Sequence, residues 1–261
     1  MIKVALTQLK PVADKDISIR NIEHYAATAA SNSANLIVFP EYYMFYSSSR
    51  DAITKNSETL SGDYVKKLIG ISTIYNIGII TGINELYNGN YYDTAVYVNN
   101  GILANYYRKT HLYDAFGYRE SDIYTYGNGP FKISTIGDVN FGMLICYDIR
   151  FPEVFRNYSM NDADAIILIS AWFAGPVKEE QWLSLISVRA LENTVFLGTS
   201  NLIGDGFTGI TSFTDPIGTV ICRSSESEDL IYCNIDKERL SAVRKKMPVL
   251  KQRRPELYRT G

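Results

Sequence analysis

The chain has 261 residues, of which 46% are hydrophobic and 21% charged, and its formal net charge is −2. This length predicts one large domain over residues 1–261, because two domains with separate cores would need more chain. The near-neutral charge lacks the basic footprint of a nucleic-acid binder. The longest apolar stretch, AIILISAWFAG, is shorter than the roughly 20 residues that cross a bilayer. We therefore expect a soluble, cytoplasmic protein with no nucleic-acid or membrane partner.

Strands and helices alternate along the first half. MIKVALTQLK contains a strand, IKVALTQL, and does not resemble a signal peptide. DISIRNIEHYAATAASN predicts a helix with Asp16 as its N-cap. Further predicted elements are a buried strand in ANLIVFP, a helix in GDYVKKLIGISTIYN, a strand in IGIITGIN, and a strand pair in YYDTAVYVNNGILANYYRK that turns at Asn99-Asn100-Gly101.

The second half continues in the same way. Its predicted elements are strands in FGMLICYD, DAIILISA, TVFLGTSN and DLIYCNID, helices beginning near Pro152 and in VKEEQWLSLISVRALEN and KERLSAVRKKM, and a hairpin in GITSFTDPIGTVICRSS. GDGFTG matches G-x-G-x-x-G, but a strand and a turn follow it where a dinucleotide site needs a helix, so it predicts a loop. Buried strands flanked by helices indicate an α/β sandwich.

Three cysteines and two histidines limit the metal chemistry that the chain can perform. Cys146, Cys222 and Cys233 show no C-x-x-C spacing, and the two histidines lie far apart in sequence. These patterns argue against a disulfide framework and against a zinc site, so we expect no metal. Cys222 and Cys233 fall inside hairpin strands and are interpreted as packing residues.

Cys146 stands out because it lies at the carboxyl end of a predicted strand, just before a helix start. A helix N-terminus and a nearby cation favour the reactive thiolate. A thiol nucleophile also needs a base. His111 is one candidate, and Glu41, which follows a buried strand in ANLIVFPE, is another. Lys109 ends the strand ILANYYRK, and its ammonium is a candidate for stabilising an oxyanion. Glu41, Lys109 and Cys146 therefore predict a site at one edge of a sheet.

Together these segments resemble the nitrilase superfamily of carbon–nitrogen hydrolases. The resemblance rests on FPE with Glu41, RKTHL with Lys109 and ICYDIRFPEVFR with Cys146. It continues through GPVKEEQWLSLISVRALENTVFLGTSN, SFTDPIGTV and the tail VLKQRRPELY. It thus covers nearly the whole chain, and the cysteine segment and the tail are most similar to the amidase-type branches.

The resemblance implies a four-layer α-β-β-α sandwich that forms homodimers or higher homo-oligomers, with the tail at about 245–261 at the interface. It implies Glu41 as the base, Cys146 as the nucleophile, and Lys109 with the backbone N–H of Tyr147 as the oxyanion donors. His111 then belongs to the lysine segment and is not the base. Glu120 matches a second carboxylate of the family, with a role in orienting Lys109 or the substrate. No cofactor is implied.

Aromatic residues flank these segments and are candidates either for the substrate pocket or for the core. They are Tyr42, Tyr43, Phe116, Trp172 and Phe173. Trp172 and Phe173 follow a predicted strand and are the preferred substrate-binding candidates, together with Tyr147.

The expected reaction is hydrolysis of a small linear amide to an acid and ammonia through a cysteine thioester. Hydrolysis of an N-carbamoyl amide or of a nitrile is the alternative on the same site. An N-acyltransferase is less favoured because such relatives carry membrane spans. A non-catalytic binding protein is also less favoured, because Glu41, Lys109 and Cys146 are all present.

Overall fold

A computed structural model describes residues 1–258 of the chain. The helices are α1 (Lys15–Ser31), α2 (Arg50–Asn56), α3 (Asp63–Tyr75), α4 (Pro152–Met160), α5 (Lys178–Asn193) and α6 (Lys237–Lys246). The first strands are β1 (Ile2–Leu9), β2 (Leu36–Val38), β3 (Gly78–Tyr87), β4 (Asn90–Asn99), β5 (Ile102–Arg108), β6 (Asp114–Ala115) and β7 (Tyr118–Arg119). The others are β8 (Ser134–Ile136), β9 (Val139–Ile145), β10 (Ala165–Ser170), β11 (Phe196–Gly204), β12 (Phe207–Thr208), β13 (Ser212–Thr214), β14 (Val220–Arg223) and β15 (Asp229–Ile235).

Within residues 1–258, all strands except β6 and β7 form one nearly closed sheet with two halves, and β6 and β7 pair only with each other. The first half runs β5-β4-β3-β2-β1, and β15 pairs antiparallel with β1. The second runs β8-β9-β10-β11, and β13 and β14 extend it beyond β11. The halves join where Gln8 and Leu9 at the end of β1 meet Asn201 and Leu202 of β11. Because only the strand ends are joined there, the two halves can face each other over most of their area.

Two apolar layers account for this arrangement. One cluster lies between the halves, where the rings of Tyr97 and Phe141 meet edge to face at 5.1 Å, and it extends to Trp182 of α5. A second cluster packs α1 and α3 against the outer face of the first half, as at Ile22 and Leu68. The strands β2 and β10 are buried along their whole length, as continuous apolar runs predict. The result is the four-layer α-β-β-α sandwich expected from the sequence.

Local signals placed most elements correctly but not all of them. The prediction of Asp16 as the N-cap of α1 is wrong, because the Asp14 side chain accepts hydrogen bonds from the backbone N–H groups of Asp16 and Ile17. Both residues are aspartates, and only the backbone conformation distinguishes them, with Asp14 extended at φ −151°. The short helix α2 and the small β6–β7 hairpin were not predicted.

The strand ends bring the site residues together from both halves. Glu41 follows β2 and Lys109 follows β5 in the first half, whereas Cys146 follows β9 in the second. The three residues follow the carboxyl ends of strands of one sheet, and its two facing halves bring them together in one cleft. Within residues 1–258, no helix is both long and apolar enough to cross a membrane.

Candidate active site

A cleft of about 450 Å³, counted to its open mouth, lies where the ends of β2, β5, β9 and β10 converge. Its lining combines charged, thiol and aromatic side chains: Glu41, Tyr42, Tyr46, Lys109, Tyr113, Tyr118, Glu120, Cys146, Ala171, Trp172, Phe173, Lys178 and Phe207. Its mostly apolar wall with a few polar groups is typical of a small-molecule site.

The Glu41 carboxylate is buried and held at both oxygens. Its Oε1 accepts a hydrogen bond from Lys109 Nζ at 2.7 Å, and its Oε2 accepts one from the backbone N–H of Ala171 at 2.6 Å. Ala171 follows β10, so the base candidate from the first half is fixed by the backbone of the second. Two charge-assisted hydrogen bonds leave this carboxylate little freedom to rotate.

Lys109 lies at the centre of three buried carboxylates. Its Nζ is 2.7 Å from Glu41, 2.8 Å from Glu120 and 3.4 Å from Asp93. Burial lowers the pKa of Lys109, but the carboxylates of Glu120, Glu41 and Asp93 outweigh burial and hold that pKa well above its usual value. Lys109 therefore stays a cation in the site, even though its side chain is almost fully enclosed.

Glu120 completes the cation's surroundings from the segment after β7. Its Oε1 accepts from Lys109 and from the Tyr42 hydroxyl, and its Oε2 accepts from the backbone N–H of Tyr113 at 2.6 Å. Burial raises the pKa of Glu120, and the Lys109 ammonium opposes that rise. The structure thus places Glu120 against Lys109, and its role in orienting Lys109 or the substrate stays a prediction.

Asp93 in β4 is a site residue that the sequence reasoning missed. Its carboxyl oxygens are buried and have no hydrogen-bond donor among the described residues, although Lys109 Nζ lies 3.4 Å away. Burial and the neighbouring Glu41 carboxylate raise the pKa of Asp93 well above its usual value. The available signal was an acid within the strand segment YYDTAVYV, a place that strongly disfavours an unpaired charge.

Cys146 opens a 3-10 turn directly after β9, with a left-handed backbone at φ +43°. A non-glycine residue in this region is strained, and such strain is concentrated at functional sites. Burial and the Glu41 carboxylate raise the pKa of the Cys146 thiol, and the Lys109 ammonium opposes them. The resting thiol is therefore protonated, and it needs a base to become a nucleophile.

Asp148 ties this turn to the segment that carries Lys109. Its Oδ2 accepts from the Tyr107 hydroxyl at 2.8 Å and from the backbone N–H of Ile145 at 3.1 Å. Its Oδ1 contacts His111 Nδ1 at 2.7 Å and accepts from the Thr110 hydroxyl at 3.2 Å. His111 thus pairs with Asp148 and stacks on a neighbouring ring, and it does not line the cleft. Asp148 was not singled out from the sequence.

The predicted aromatic residues divide between pocket and core. Trp172 and Phe173 line the cleft, and so does Tyr42. Tyr43 is a core residue that stacks on Phe39. Phe116 is 81% exposed at the tip of the β6–β7 hairpin, outside the cleft lining.

Tyr147 borders the cleft without lining it. It follows Cys146 directly, and its ring meets Tyr113 edge to face at 5.0 Å. This ring contact keeps the Tyr147 side chain at the rim, while its backbone remains next to the thiol.

A carboxylate trio can also be tested as a metal site. Ligand oxygens of Glu41, Asp93 and Glu120 lie within 4.8 Å of one another in the described chain. Lys109 Nζ lies within 3.4 Å of an oxygen from each of them. The position that a cation would take is therefore filled by the chain's own ammonium, and these residues do not fit a metal ion.

The arrangement can perform acyl transfer. The same cleft is lined by a thiol on a strained turn, a fixed carboxylate and a lysine ammonium. Acyl transfer needs a nucleophile, a base and an electrophilic stabiliser, and these three groups are of the types that can serve.

Comparison with known proteins defines the class to which this fold and site belong. The family model for carbon-nitrogen hydrolases matches residues 3–245. The chain therefore belongs to the carbon–nitrogen hydrolase family, within the nitrilase superfamily, and is a carbon–nitrogen hydrolase. The recognition of the superfamily from the sequence is confirmed.

Individual relatives agree with this assignment. The chain is 31% identical over 235 residues to the deaminated glutathione amidase of Escherichia coli O157:H7, covering 87% of this chain and 88% of that protein. It is 27% identical over 270 residues to the human omega-amidase NIT2, covering 98% and 96%. Nit3 of Saccharomyces cerevisiae, a member of branch 10 of the nitrilase superfamily, superposes with a TM-score of 0.87 at 27% identity, covering 97% and 96% of the two chains.

Proposed function

We propose that this protein is an amidohydrolase that cleaves the C–N bond of a small linear amide to give an acid and ammonia, through a thioester on Cys146. The observation that carries the proposal is the shared cleft of Cys146, Glu41 and Lys109, in which Glu41 is fixed by Lys109 and Ala171. The names of two relatives, an omega-amidase and a deaminated glutathione amidase, support an amide substrate.

The first chemical step forms the bond between sulfur and the carbonyl carbon. Glu41 takes the proton from the Cys146 thiol as the sulfur attacks, which is necessary because burial raises the thiol pKa. The carbonyl oxygen becomes an oxyanion. The Lys109 ammonium and the backbone N–H of Tyr147 stabilise it by donating hydrogen bonds.

The second step breaks the C–N bond, and the third regenerates the enzyme. Glu41 returns its proton to the leaving nitrogen, so ammonia departs and the acyl group remains as a thioester. Glu41 then deprotonates a water molecule that attacks the thioester carbon. Collapse of this second tetrahedral intermediate releases the acid, and the sulfur recovers a proton. The net reaction consumes one amide and one water and yields one acid and one ammonia.

The surrounding residues support these steps. Glu120 and Asp93 help keep Lys109 protonated through the cycle, because their charges raise its pKa. Trp172 and Phe173 give the substrate an apolar wall in the cleft. Exclusion of water by this wall strengthens the electrostatic stabilisation of the oxyanion.

Homodimerisation belongs to the same proposal. Met160 of α4 and Leu191 of α5 are exposed apolar residues, and Met160 shares a groove with Met247 and Leu250 from the tail. The tail at about 245–261 would lie at the interface, although its last three residues, 259–261, lie outside the described part of the chain. Analytical ultracentrifugation tests this, and a monomer at micromolar concentration would contradict it.

A cytoplasmic location also stays a prediction, and cell fractionation tests it.

The function is tested by intact-protein mass spectrometry after mixing with small amides, carbamoyl amino acids and nitriles, alongside an ammonia assay. We expect a mass gain equal to the acyl group with amides, absent in Cys146→Ala. Carbon dioxide released with ammonia would instead identify carbamoyl hydrolysis, and turnover of nitriles alone would identify a nitrilase. The absence of both an adduct and ammonia release with every compound would contradict the proposal.

A further inference from the structure

Two cationic side chains beside the cleft have no carboxylate partner among the described residues. Lys178, at the start of α5, lines the cleft, and Arg150 lies in the turn after Cys146. Within residues 1–258 neither side chain is at ion-pair distance from an acid, although Glu179 and Glu180 are adjacent in sequence. Arg150 donates to Gln181 Oε1 at 2.8 Å, and Lys178 Nζ donates to the Tyr113 hydroxyl at 3.4 Å. Both cations therefore keep their charge uncompensated by the protein.

The Lys178 ammonium is held in place by aromatic rings. Its Nζ lies 4.4 Å from the ring centroid of Phe116 and 5.5 Å from the centroids of Tyr113 and Trp172. Ring faces attract a cation but do not neutralise it. The peptide carbonyl of Lys178 also accepts a hydrogen bond from Trp172 Nε1 at 3.0 Å, which fixes the backbone below the ammonium.

The electrostatics of Lys178 agree with a positive charge that lacks a counterion. Burial and the Arg150 guanidinium lower the pKa of Lys178, and only the Cys146 side chain acts in the opposite direction. An anion bound beside Lys178 would offset the unfavourable interaction with the Arg150 guanidinium.

The two lysines of the cleft therefore have opposite surroundings. Lys109 is buried among three carboxylates, whereas Lys178 is partly exposed and faces no carboxylate of the described residues. Lys109, whose positive charge is balanced by carboxylates, suits a negative charge that forms only during the reaction. Lys178, whose positive charge is unbalanced, suits a negative charge that the substrate carries permanently.

We propose that Lys178 is a specificity-determining residue that binds a carboxylate at the far end of the substrate from the scissile amide. This inference rests on the proposed function and narrows its substrate class to half-amides of dicarboxylic acids or similar anionic amides. An ion pair in this partly enclosed, ring-lined position should favour the anionic substrate by about tenfold to a hundredfold.

The test compares half-amides of straight-chain dicarboxylic acids with uncharged aliphatic amides of matched length. The measured quantity is the ratio of their kcat/KM values. In wild type we expect a ratio of about ten or more, and in Lys178→Met we expect it to fall toward one, mainly through a higher KM for the half-amide. Added salt should lower the wild-type ratio, because it screens the pair.

Lys132→Met is the matched control. Lys132 also lies near an aromatic ring, that of Tyr106 at 5.9 Å, and borders a different cavity. This variant should keep the wild-type ratio. A ratio near one in wild type, or a ratio that Lys178→Met leaves unchanged, would overturn the inference while leaving amide hydrolysis intact.

A binding measurement separates this inference from the proposed reaction. Calorimetry with Cys146→Ala should detect binding of a half-amide, and adding Lys178→Met should weaken the affinity about tenfold or more. Binding through Lys178 without ammonia release from wild type would refute the reaction and keep the anionic subsite. No loss of affinity in the double variant would refute the subsite, whatever the turnover.

Discussion

Two regions of the molecule contain a buried thiol, and they differ in almost everything except burial. Cys146 in the turn after β9 is 8% exposed, and Cys233 within β15 is 7% exposed. Burial raises the pKa of both thiols. Cys146, however, has a left-handed backbone and faces Glu41 and Lys109, whereas Cys233 lies in a regular strand opposite Val4, with the Cys222 thiol as its titratable neighbour.

This contrast teaches that a perturbed pKa does not by itself identify a nucleophile. Desolvation is common to core and active-site cysteines, so it cannot distinguish them. The difference lies in a carboxylate that can accept the proton and a cation that can stabilise the product of attack. The following four predictions test that difference.

The largest effect is expected for Cys146→Ala, set against Cys233→Ala. Loss of the nucleophile should lower kcat/KM by about 10⁵-fold or more. Cys233→Ala should keep activity and lose about 1 kcal/mol of unfolding free energy, because it removes only packing. Ammonia release and denaturant melts measure both. An active, folded Cys146→Ala protein would refute the mechanism.

Glu41→Gln should come next, because it makes the surroundings of Cys146 more like those of Cys233. The amide keeps the shape of the side chain but cannot take the thiol proton, so turnover should fall by about 10²–10⁴-fold. Because loss of the carboxylate also lowers the pKa of the Cys146 thiol, iodoacetamide should still alkylate Cys146 in the folded variant, which shows that the nucleophile is intact. Ammonia release by the folded variant at the wild-type rate would argue for another base.

Asp148→Ala tests whether the turn geometry matters. The change leaves the Tyr107 hydroxyl and the Ile145 N–H without their acceptor, which should destabilise the fold by about 3 kcal/mol. It also loosens Cys146 relative to Lys109, so kcat should fall about 10–100-fold with a smaller change in KM. Asp148→Asn, which keeps an acceptor oxygen, should recover part of kcat. A loss of stability without a loss of kcat would show that Asp148 serves the fold alone.

Asp93→Asn should have the smallest effect on activity and a clear effect on pH dependence. Burial and the Glu41 and Glu120 carboxylates raise the folded-state pKa of Asp93, and the Lys109 ammonium opposes them. Its contribution to stability is therefore full below about pH 4 and is lost as pH rises through the raised pKa. The neutral amide removes that loss, so the Tm advantage of the variant should grow with rising pH. Parallel Tm curves for variant and wild type would contradict a raised pKa of Asp93 in the folded protein.

Some expectations succeeded because they depend on short-range chemistry. Apolar runs such as that of β10, and the Asn100-Gly101 turn between β4 and β5, are fixed by side-chain hydrophobicity and by residues that tolerate positive φ. The segments around Glu41, Lys109 and Cys146 were recognised in the same way, since each combines a strand end with a reactive side chain. A helix start just after Cys146 was also expected, and α4 begins at Pro152.

The sequence by itself thus determined most of the strands and helices, the α/β class, the superfamily and the three residues for which we propose catalysis. Only the tertiary structure decided what surrounds them. It gave Cys146 its left-handed backbone, placed Asp93 beside Lys109 and joined Asp148 to both segments. Within residues 1–258 it also left Lys178 without a carboxylate partner. These features depend on contacts between residues from two facing layers of the sheet. A linear pattern records the periodicity of one segment, and it cannot record which charges from another segment will be buried against it.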